Sequence, residues 1–466
     1  MIEEFEYKGD WWLPDNPQKR IKGMLKFKPS EGATLDLIGS FKDFKNFNIA
    51  LDLDIILGET TNGKAITLYK CFEKSSSMSL PGSITSLIFA NYVFVGIHFQ
   101  KAEAIVFKNM SVHYYHLDEW INKPNCTMEF PKDEEEKTVT IRYTLPQPIP
   151  IANDKQYKIS INFNASIPTP SAKGVAIKQK AVIIIETTQE MAFEYYRTIL
   201  YQIQNFLCLG ITEATYPIFI SGTTEASKIE LEGKSHYNPI EIFFQLSEVP
   251  DINKKISGYE MLFVFSDIAD NIEVYLGNWL QKAKLLEPVF DLYFGTFYNR
   301  RMYLQHRFLS LTQAIESYHR RILLGKYQSD KEYLEGLYSE FMKCILTVSD
   351  ENFKTGLKTR MKYLNEFSLR KRLMDLSKKH EEILNLRIRN IEKVITDTIS
   401  TRNFLTHYDL ELEKEAKSGE ELYILCEKLK FILEICLLFE IALPIEKIKA
   451  LVERNESYKY LIRMPD

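Results

Sequence analysis

Arg307-Phe-Leu-Ser-Leu-Thr-Gln-Ala-Ile-Glu-Ser-Tyr-His-Arg320 carries Phe308, Leu311, Ile315 and Tyr318, and Ile322 continues the series at i+14. Apolar residues at i, i+3, i+7, i+10 and i+14 lie on one stripe of an α-helix, so the stretch predicts an amphipathic helix burying one face. Toward the C-terminus the same period predicts helices over 330–347, 366–385, 389–400 and 420–442, with a short last helix after Pro444. Ser418 and Glu421 stand at capping-box spacing before the fourth of these. Five or six helices joined by short loops make an antiparallel bundle over residues 297–466.

Toward the N-terminus the period changes. Tyr157, Ile159, Ile161 and Phe163 alternate with Lys158, Ser160 and Asn162, and Val139, Ile141, Tyr143 and Leu145 alternate with threonines and Arg142. Leu35 and Leu37 lead into Gly39, and Pro146, Pro148 and Pro150 punctuate the pattern. A period of two, rich in β-branched and aromatic residues, reads as antiparallel strands in a sandwich or barrel. Asn62-Gly63 between Ile55-Ile56-Leu57 and Ile66–Leu68 reads as a hairpin turn. Residues 190–296 are mixed: a helix over Phe193–Leu207, strand-like runs at 216–220, 240–244 and 261–265, and a helix from Ile272 broken near Pro288. The fold class is therefore α+β multidomain: a β-rich domain over 1–296, with 190–296 as its mixed part, then an all-α bundle over 297–466.

Composition bounds the function. The 466 residues exceed the roughly 150 of a typical domain, and 45% apolar with 26% charged residues is ordinary for a globular chain. The net charge of −4 argues for neither nucleic acid nor membrane, but it is unevenly spread. Residues 296–400 hold 20 Lys+Arg against 13 Asp+Glu, while 408–466 hold 9 against 13. Arg300-Arg301 and Arg320-Arg321 head the basic clusters, followed by Arg370-Lys371-Arg372 and Lys378-Lys379. They read either as an RNA-binding face or as solvated helix surface. The six cysteines form no C-x-x-C pair and read as buried free thiols of a reducing compartment. MIEEFEYKGD is no secretory signal, and the apolar run 431–443 carries Glu434 and Glu440 and is too short to span a bilayer. A cytoplasmic protein without a membrane partner is expected.

Two motifs are set aside. Gly58-Glu-Thr-Thr-Asn-Gly63-Lys64-Ala65 matches a phosphate-binding loop except at Ala65, where Mg²⁺ needs a hydroxyl, and the following residues alternate like a strand. His113 and His116 are three apart in a strand-like stretch, which sends them to opposite faces, so no metal site is expected.

One constellation can carry chemistry: Arg402-Asn403-Phe404-Leu405-Thr406-His407, followed by Tyr408. A histidine exchanges protons near neutral pH, and an arginine offers a charged planar fork to phosphate oxygens. Such a pair can move a ribose 2′-hydroxyl proton and stabilise charge on a phosphodiester. Five residues of α-helix turn through about 140° beyond one revolution, so the two share no face of a straight helix. Either the segment lies at a helix end, or Arg402 and His407 converge in a cleft shared with a second copy.

The Arg307–Arg320 helix and the late Arg402-Asn403-x-x-x-His407 element resemble the HEPN (higher eukaryotes and prokaryotes nucleotide-binding) domain of the ApeA-like group. Gly9-Asp-Trp11-Trp12-Leu13-Pro14, Gly23-Met-Leu25-Lys-Phe27, Gly32 and Leu35-Asp-Leu37-Ile-Gly39 resemble the opening of the ApeA N-terminal domain. The resemblance implies a bacterial anti-phage defence protein acting by abortive infection. Its HEPN domain would be a metal-independent endoribonuclease, without cofactor, dimerising with its motifs at the interface. Arg402 and His407 match the family's catalytic pair and Asn403 its polar residue, with Tyr408 in support. The N-terminal domain would sense a phage-encoded trigger or restrain the nuclease; the Trp11-Trp12 pair reads as a binding surface or as core. The competing reading is a non-catalytic module for dimerisation and for RNA or nucleotide binding.

Overall fold

The computed structural model describes residues 2–42, 49–78, 84–130, 138–169, 174, 176–231, 233–299 and 301–463. The chain forms two compact units, Met1–Leu280 and Gln281–Asp466.

The first unit is β-rich. Its first six strands are β1 (Phe5–Leu13), β2 (Asn16–Lys28), β3 (Gly32–Ile38), β4 (Asp52–Thr60), β5 (Ala65–Met78) and β6 (Ile84–Val95). They pair antiparallel in the order β6-β3-β2-β1-β4-β5, and β5 pairs back onto β6, closing a six-stranded barrel. Closure leaves no free edge among these strands. The alternation seen in sequence is what fills it: Leu35 and Leu37 point inward from β3, with Leu25, Phe27, Ile56 and Ile66 from its neighbours.

Trp11 is buried in this core opposite Gly58, where a Cβ would sit 2.2 Å from the indole ring. The glycine of the phosphate-loop look-alike is thus a packing glycine. The rest of that motif is the β4–β5 turn, with Gly63 at φ +78 and its N–H donating to the Thr60 carbonyl at 2.9 Å. Trp12 is buried as well, edge-on to His98 and under the Arg20 guanidinium, so the tryptophan pair is core rather than an exposed surface.

β6 pairs with β3 along its first half and with a later strand along its second, and this lets the sheet leave the barrel. The remaining strands are β7 (Val106–Tyr114), β8 (Cys126–Glu129), β9 (Thr140–Tyr143), β10 (Ile149–Asn153), β11 (Tyr157–Ser166), β12 (Lys178–Ala192), β13 (Pro217–Thr223), β14 (Lys228–Leu231), β15 (Lys234–Tyr237) and β16 (Ile240–Phe243). From β6 the sheet runs β16-β13-β7-β12-β11-β10, while β8–β9 and β14–β15 are separate hairpins. Two strands of the mixed region, β13 and β16, therefore link the barrel to the outer sheet. Helix α1 (Leu117–Ile121) follows β7, and α2 (Phe193–Ile211) follows β12. α2 is anchored by Tyr196, whose hydroxyl donates to the Phe107 carbonyl, and by Tyr114, whose hydroxyl donates to that of Leu200.

The strand expected at 261–265 does not form. Leu262 and Phe263 direct both N–H groups at the Gly210 carbonyl in a buried turn before α3 (Phe265–Ile268). A short apolar run is buried equally well as a turn, so periodicity could not distinguish the two. His113 and His116 fall on β7 and at the start of α1. Burial, with Lys180 nearby, pushes the His113 imidazole down to about 4, and its Nδ1 lies 2.6 Å from the Ala181 carbonyl oxygen. No metal-binding cluster of His, Cys, Asp or Glu occurs among the described residues.

The helices that follow are α4 (Ile272–Tyr298), α5 (Leu304–Leu323), α6 (Asp330–Glu335), α7 (Leu337–Leu346), α8 (Glu351–Met361), α9 (Leu369–Lys379), α10 (Glu381–Leu384), α11 (Ile391–His407), α12 (Leu410–Glu413), α13 (Gly419–Glu440), α14 (Ile445–Arg454) and α15 (Glu456–Arg463). No helix is long and apolar enough to cross a membrane among the described residues. Pro288 does not end its helix; α4 runs through it. A proline weakens bonding to the carbonyls one turn earlier, and the Arg321 guanidinium donates to the Leu285 carbonyl at 2.9 Å. The 330–347 helix is broken at Gly336, and the Ser418 hydroxyl makes no cap bond. Cys71, Cys208, Cys426 and Cys436 are buried free thiols, whereas Cys126 and Cys344 are exposed.

α13 is the axle of the helical unit. Phe308, Leu311, Ile315 and Tyr318 of α5 are fully buried, as the stripe requires. Three glutamates of α13 tie other helices to it. Glu427 pairs with Arg307 at 2.6 Å, and Glu440 accepts from Tyr318 and Lys282 at 2.7 Å each. Glu434, fully buried, accepts from the hydroxyls of Tyr293 and Tyr458 at 2.6 Å each.

His380, between α9 and α10, is buried against the Phe439 ring with both ring nitrogens unpaired. Burial, reinforced by Lys379, pushes it down to about 4. An unfolded chain protonates such a histidine near pH 6.5, while the folded chain refuses the proton until about pH 4. Stability therefore falls as pH drops through that window, by at most about 1.4 kcal/mol per pH unit. His380→Phe is expected to raise the unfolding temperature of the helical unit at pH 4.5 and to change it little at pH 7.5. Equal acid sensitivity of the two proteins in thermal melts would contradict this.

Candidate functional site

α11 starts under the Asn390 side chain, which accepts from the Lys393 N–H at 3.0 Å. Its buried face is Val394, Ile395, Thr398 and Thr401, a helical stripe. The returning chain braces its second half: Lys417 donates its N–H to the Thr401 hydroxyl at 3.0 Å, and the Ser400 hydroxyl donates to the Glu415 carboxylate at 3.2 Å. What lies beyond Thr401 is thereby held against a fixed support.

Arg402 and Asn403 follow, half-buried and adjacent, and the guanidinium donates to the Asn403 side-chain oxygen at 3.3 Å. One nitrogen is thus oriented by the chain, leaving the rest of the fork for a ligand. The Thr406 hydroxyl donates to the Arg402 carbonyl at 2.7 Å. His407 is the last residue of α11, exposed, and without a hydrogen-bonding partner among the described residues. Tyr408 takes the left-handed conformation (φ +51) and donates its N–H to the Phe404 carbonyl at 2.6 Å, ending the helix. Its exposed ring stands edge-on to Phe404, with centroids 5.5 Å apart. Asp409 then caps α12.

The chain therefore brings Arg402 and Asn403 together, but no hydrogen bond joins Arg402 to His407. Of the two arrangements the spacing leaves open, the first is met: the motif lies at a helix end.

The basic clusters sort differently. Arg320 is held by Glu316 and Glu366, and Arg321 by the Leu285 carbonyl, so neither guanidinium is free of the protein. Arg301 is exposed without a partner among the described residues, and Arg300 lies outside them. Arg372 is fully buried, with Nε donating to the Phe367 carbonyl at 3.0 Å and Nη1 3.1 Å from His319 Nδ1. Gly325 makes room for it: at φ +73, a Cβ there would stand 2.4 Å from Nη1.

A hollow of about 60 Å³ between α11 and α13, lined by Asn390, Val394, Asp397, Lys417, Ile424 and Lys428, has room for water but not for a nucleotide. The outer face of the barrel carries a groove of about 500 Å³, whose floor includes the paired Gly9 and Gly23 and whose walls include Lys8, Asp36 and the Asp10–Lys22 ion pair.

Two family matches cover most of the molecule. Residues 6–279 match the family described as ApeA N-terminal domain 1, and residues 309–447, which include the whole Arg402–His407 motif, match that described as Apea-like HEPN. No curated protein and no solved structure matches the chain. With the first match spanning more than half of its length and the second falling on its helical unit, the chain belongs to the ApeA family of HEPN-containing defence proteins.

Proposed function

We propose that the helical unit is a metal-independent endoribonuclease and that the β-rich unit regulates it in an abortive response to phage infection. The observation carrying this reading is the end of α11: an exposed, unpartnered His407 beside a half-buried Arg402 whose guanidinium is steadied by Asn403. His407 takes the proton from a ribose 2′-hydroxyl, and that oxygen attacks the adjacent phosphorus. Arg402 holds the non-bridging oxygens as their charge rises. As the bond from phosphorus to the 5′-oxygen breaks, the proton taken up by His407 passes to that oxygen, giving a 2′,3′-cyclic phosphate and a 5′-hydroxyl, and the scheme needs no metal or cofactor. The match to the HEPN family, whose domains generally dimerise, supports a working site in the groove of a homodimer, where a twofold axis sets two such pairs around one RNA strand.

The β-rich unit supplies restraint and recognition, since an unrestrained ribonuclease kills its host; its outer groove suits a phage-encoded trigger. Induced residues 281–466 should be more toxic to cells than the full chain, and equal toxicity would remove the regulatory part of the proposal.

That no side-chain hydrogen bond orients His407 among the described residues also favours a second reading, a non-catalytic module that dimerises and binds RNA or nucleotides. Incubating the purified chain with total bacterial RNA in EDTA, alone and with phage-infected lysate, separates the two. Fragmentation supports the nuclease; intact RNA retained by the protein under both conditions supports the binding module.

A further inference from the structure

Between α5 and α9 the chain makes an excursion closed at its base. The Asn365 side chain accepts from the Gln328 N–H and donates to the Gln328 carbonyl, both at 2.9 Å, and the Tyr327 N–H donates to the Asn365 carbonyl. Inside this clasp lie α6, α7 and α8, and only Tyr333, Ile345 and Met361 among their residues are buried. The excursion contributes little to the core of the unit, yet it exposes large apolar side chains that a soluble surface ordinarily keeps scattered.

On α8 those side chains are interleaved with cations. Residues 351–364 hold Lys354, Lys358, Arg360 and Lys362 against the single Glu351, which pairs with Lys354 at 2.6 Å. Phe353 and Arg360, seven residues apart, share one face of the helix. Gly356 lies between them on that face with nothing within 4 Å of where its side chain would be. Tyr363 occupies the turn that follows, its N–H donating to the Arg360 carbonyl at 3.0 Å. Phe353 is 57% exposed and Tyr363 64%. The Arg360 guanidinium makes no hydrogen bond or ion pair among the described residues.

We infer that α8 and the turn after it, through Phe353 and Arg360 on one helix face and Tyr363 in the turn, form a platform for single-stranded RNA. Two exposed rings flanking an unpaired guanidinium, on a segment of net positive charge, offer stacking surfaces for unpaired bases and a contact for the phosphates between them. A duplex hides its base faces, so the rings favour a single strand. The helix that follows the excursion, α9, is tied to the candidate nuclease helix, since Arg370, five residues past the clasp, donates to the Thr396 hydroxyl of α11 at 3.4 Å. His407 lies eleven residues further along α11, about 16 Å at the helical rise. The platform rests on the proposal that this unit acts on RNA, but not on catalysis.

The test uses the full chain carrying His407→Ala, so that the probe survives, and a fluorescein-labelled 20-mer of oligouridylate read by anisotropy. Adding Phe353→Ala and Tyr363→Ala is expected to weaken binding about tenfold or more at an unchanged melting temperature. Arg360→Ala is expected to lower the salt dependence by about 0.7 in the log–log slope. Unchanged affinity in the aromatic double variant overturns the platform. Unchanged affinity with weakened self-association overturns it in favour of a protein contact. Failure of the parent chain to bind the probe overturns it as well, and wild-type cleavage of total RNA then shows separately whether the nuclease proposal survives.

Discussion

His407→Ala is expected to slow RNA cleavage by roughly 10²–10⁴-fold, the range of a lost general acid–base catalyst, with no loss of stability. The second half of that expectation is structural. His407 is the exposed last residue of α11 and holds nothing in place, so its truncation leaves no buried group unsatisfied. Arg402→Lys separates charge from geometry: the lysine keeps the positive charge but loses the planar fork and the bond to Asn403. It should retain RNA affinity while cleaving at least tenfold more slowly. Single-turnover rates on a defined RNA decide both cases. A His407→Ala protein keeping more than a tenth of the wild-type rate would show that the proton is carried elsewhere.

Glu434→Ala is expected to cost the helical unit about 3–5 kcal/mol, the combined loss of two buried hydrogen bonds and of a filled core position. Glu434 is fully buried in α13 and accepts hydrogen bonds from Tyr293 of α4 and Tyr458 of α15. Burial, with the Glu434 carboxylate beside them, holds both phenols well above their ordinary range, so both remain donors at every working pH. Removing the carboxylate strands two buried hydroxyls and leaves a cavity between three helices. Glu434→Gln keeps one acceptor oxygen and should lose about half as much. Denaturant unfolding followed for the helical transition reads the difference. A Glu434→Ala protein within 1 kcal/mol of wild type would mean that the cluster is not what ties α4 and α15 to α13.

Legibility in the sequence followed the physics of each element. Strands with one buried face, such as β3 and β11, announce themselves because alternate side chains meet different solvents. α5 and α13 do so through their apolar faces. α8 escaped notice because Met361 is its only buried residue, so no stripe marks it. Pro288 misled because α4 runs through it, while a carbonyl one turn earlier, that of Leu285, accepts from Arg321 of a different helix. Arg372 misled for the converse reason: it is a charged residue made a core residue by carbonyls of Phe367 and Gly325 that only the fold assembles. The candidate site divides the same way. Arg402, Asn403 and His407 are legible as residue types in order, and the turn at Tyr408 shows that the motif closes its helix. What lies opposite Arg402 and His407 in the proposed dimer belongs to quaternary geometry rather than to residue order.

The most direct test is to map the ends of RNA fragments made by the purified wild-type chain in EDTA, with His407→Ala as control. Fragments ending in a 2′,3′-cyclic phosphate and beginning with a 5′-hydroxyl, absent from the control, are the predicted result. Ends with a 3′-hydroxyl and a 5′-phosphate, or identical fragments from both proteins, would contradict attack by the 2′-oxygen under the control of His407.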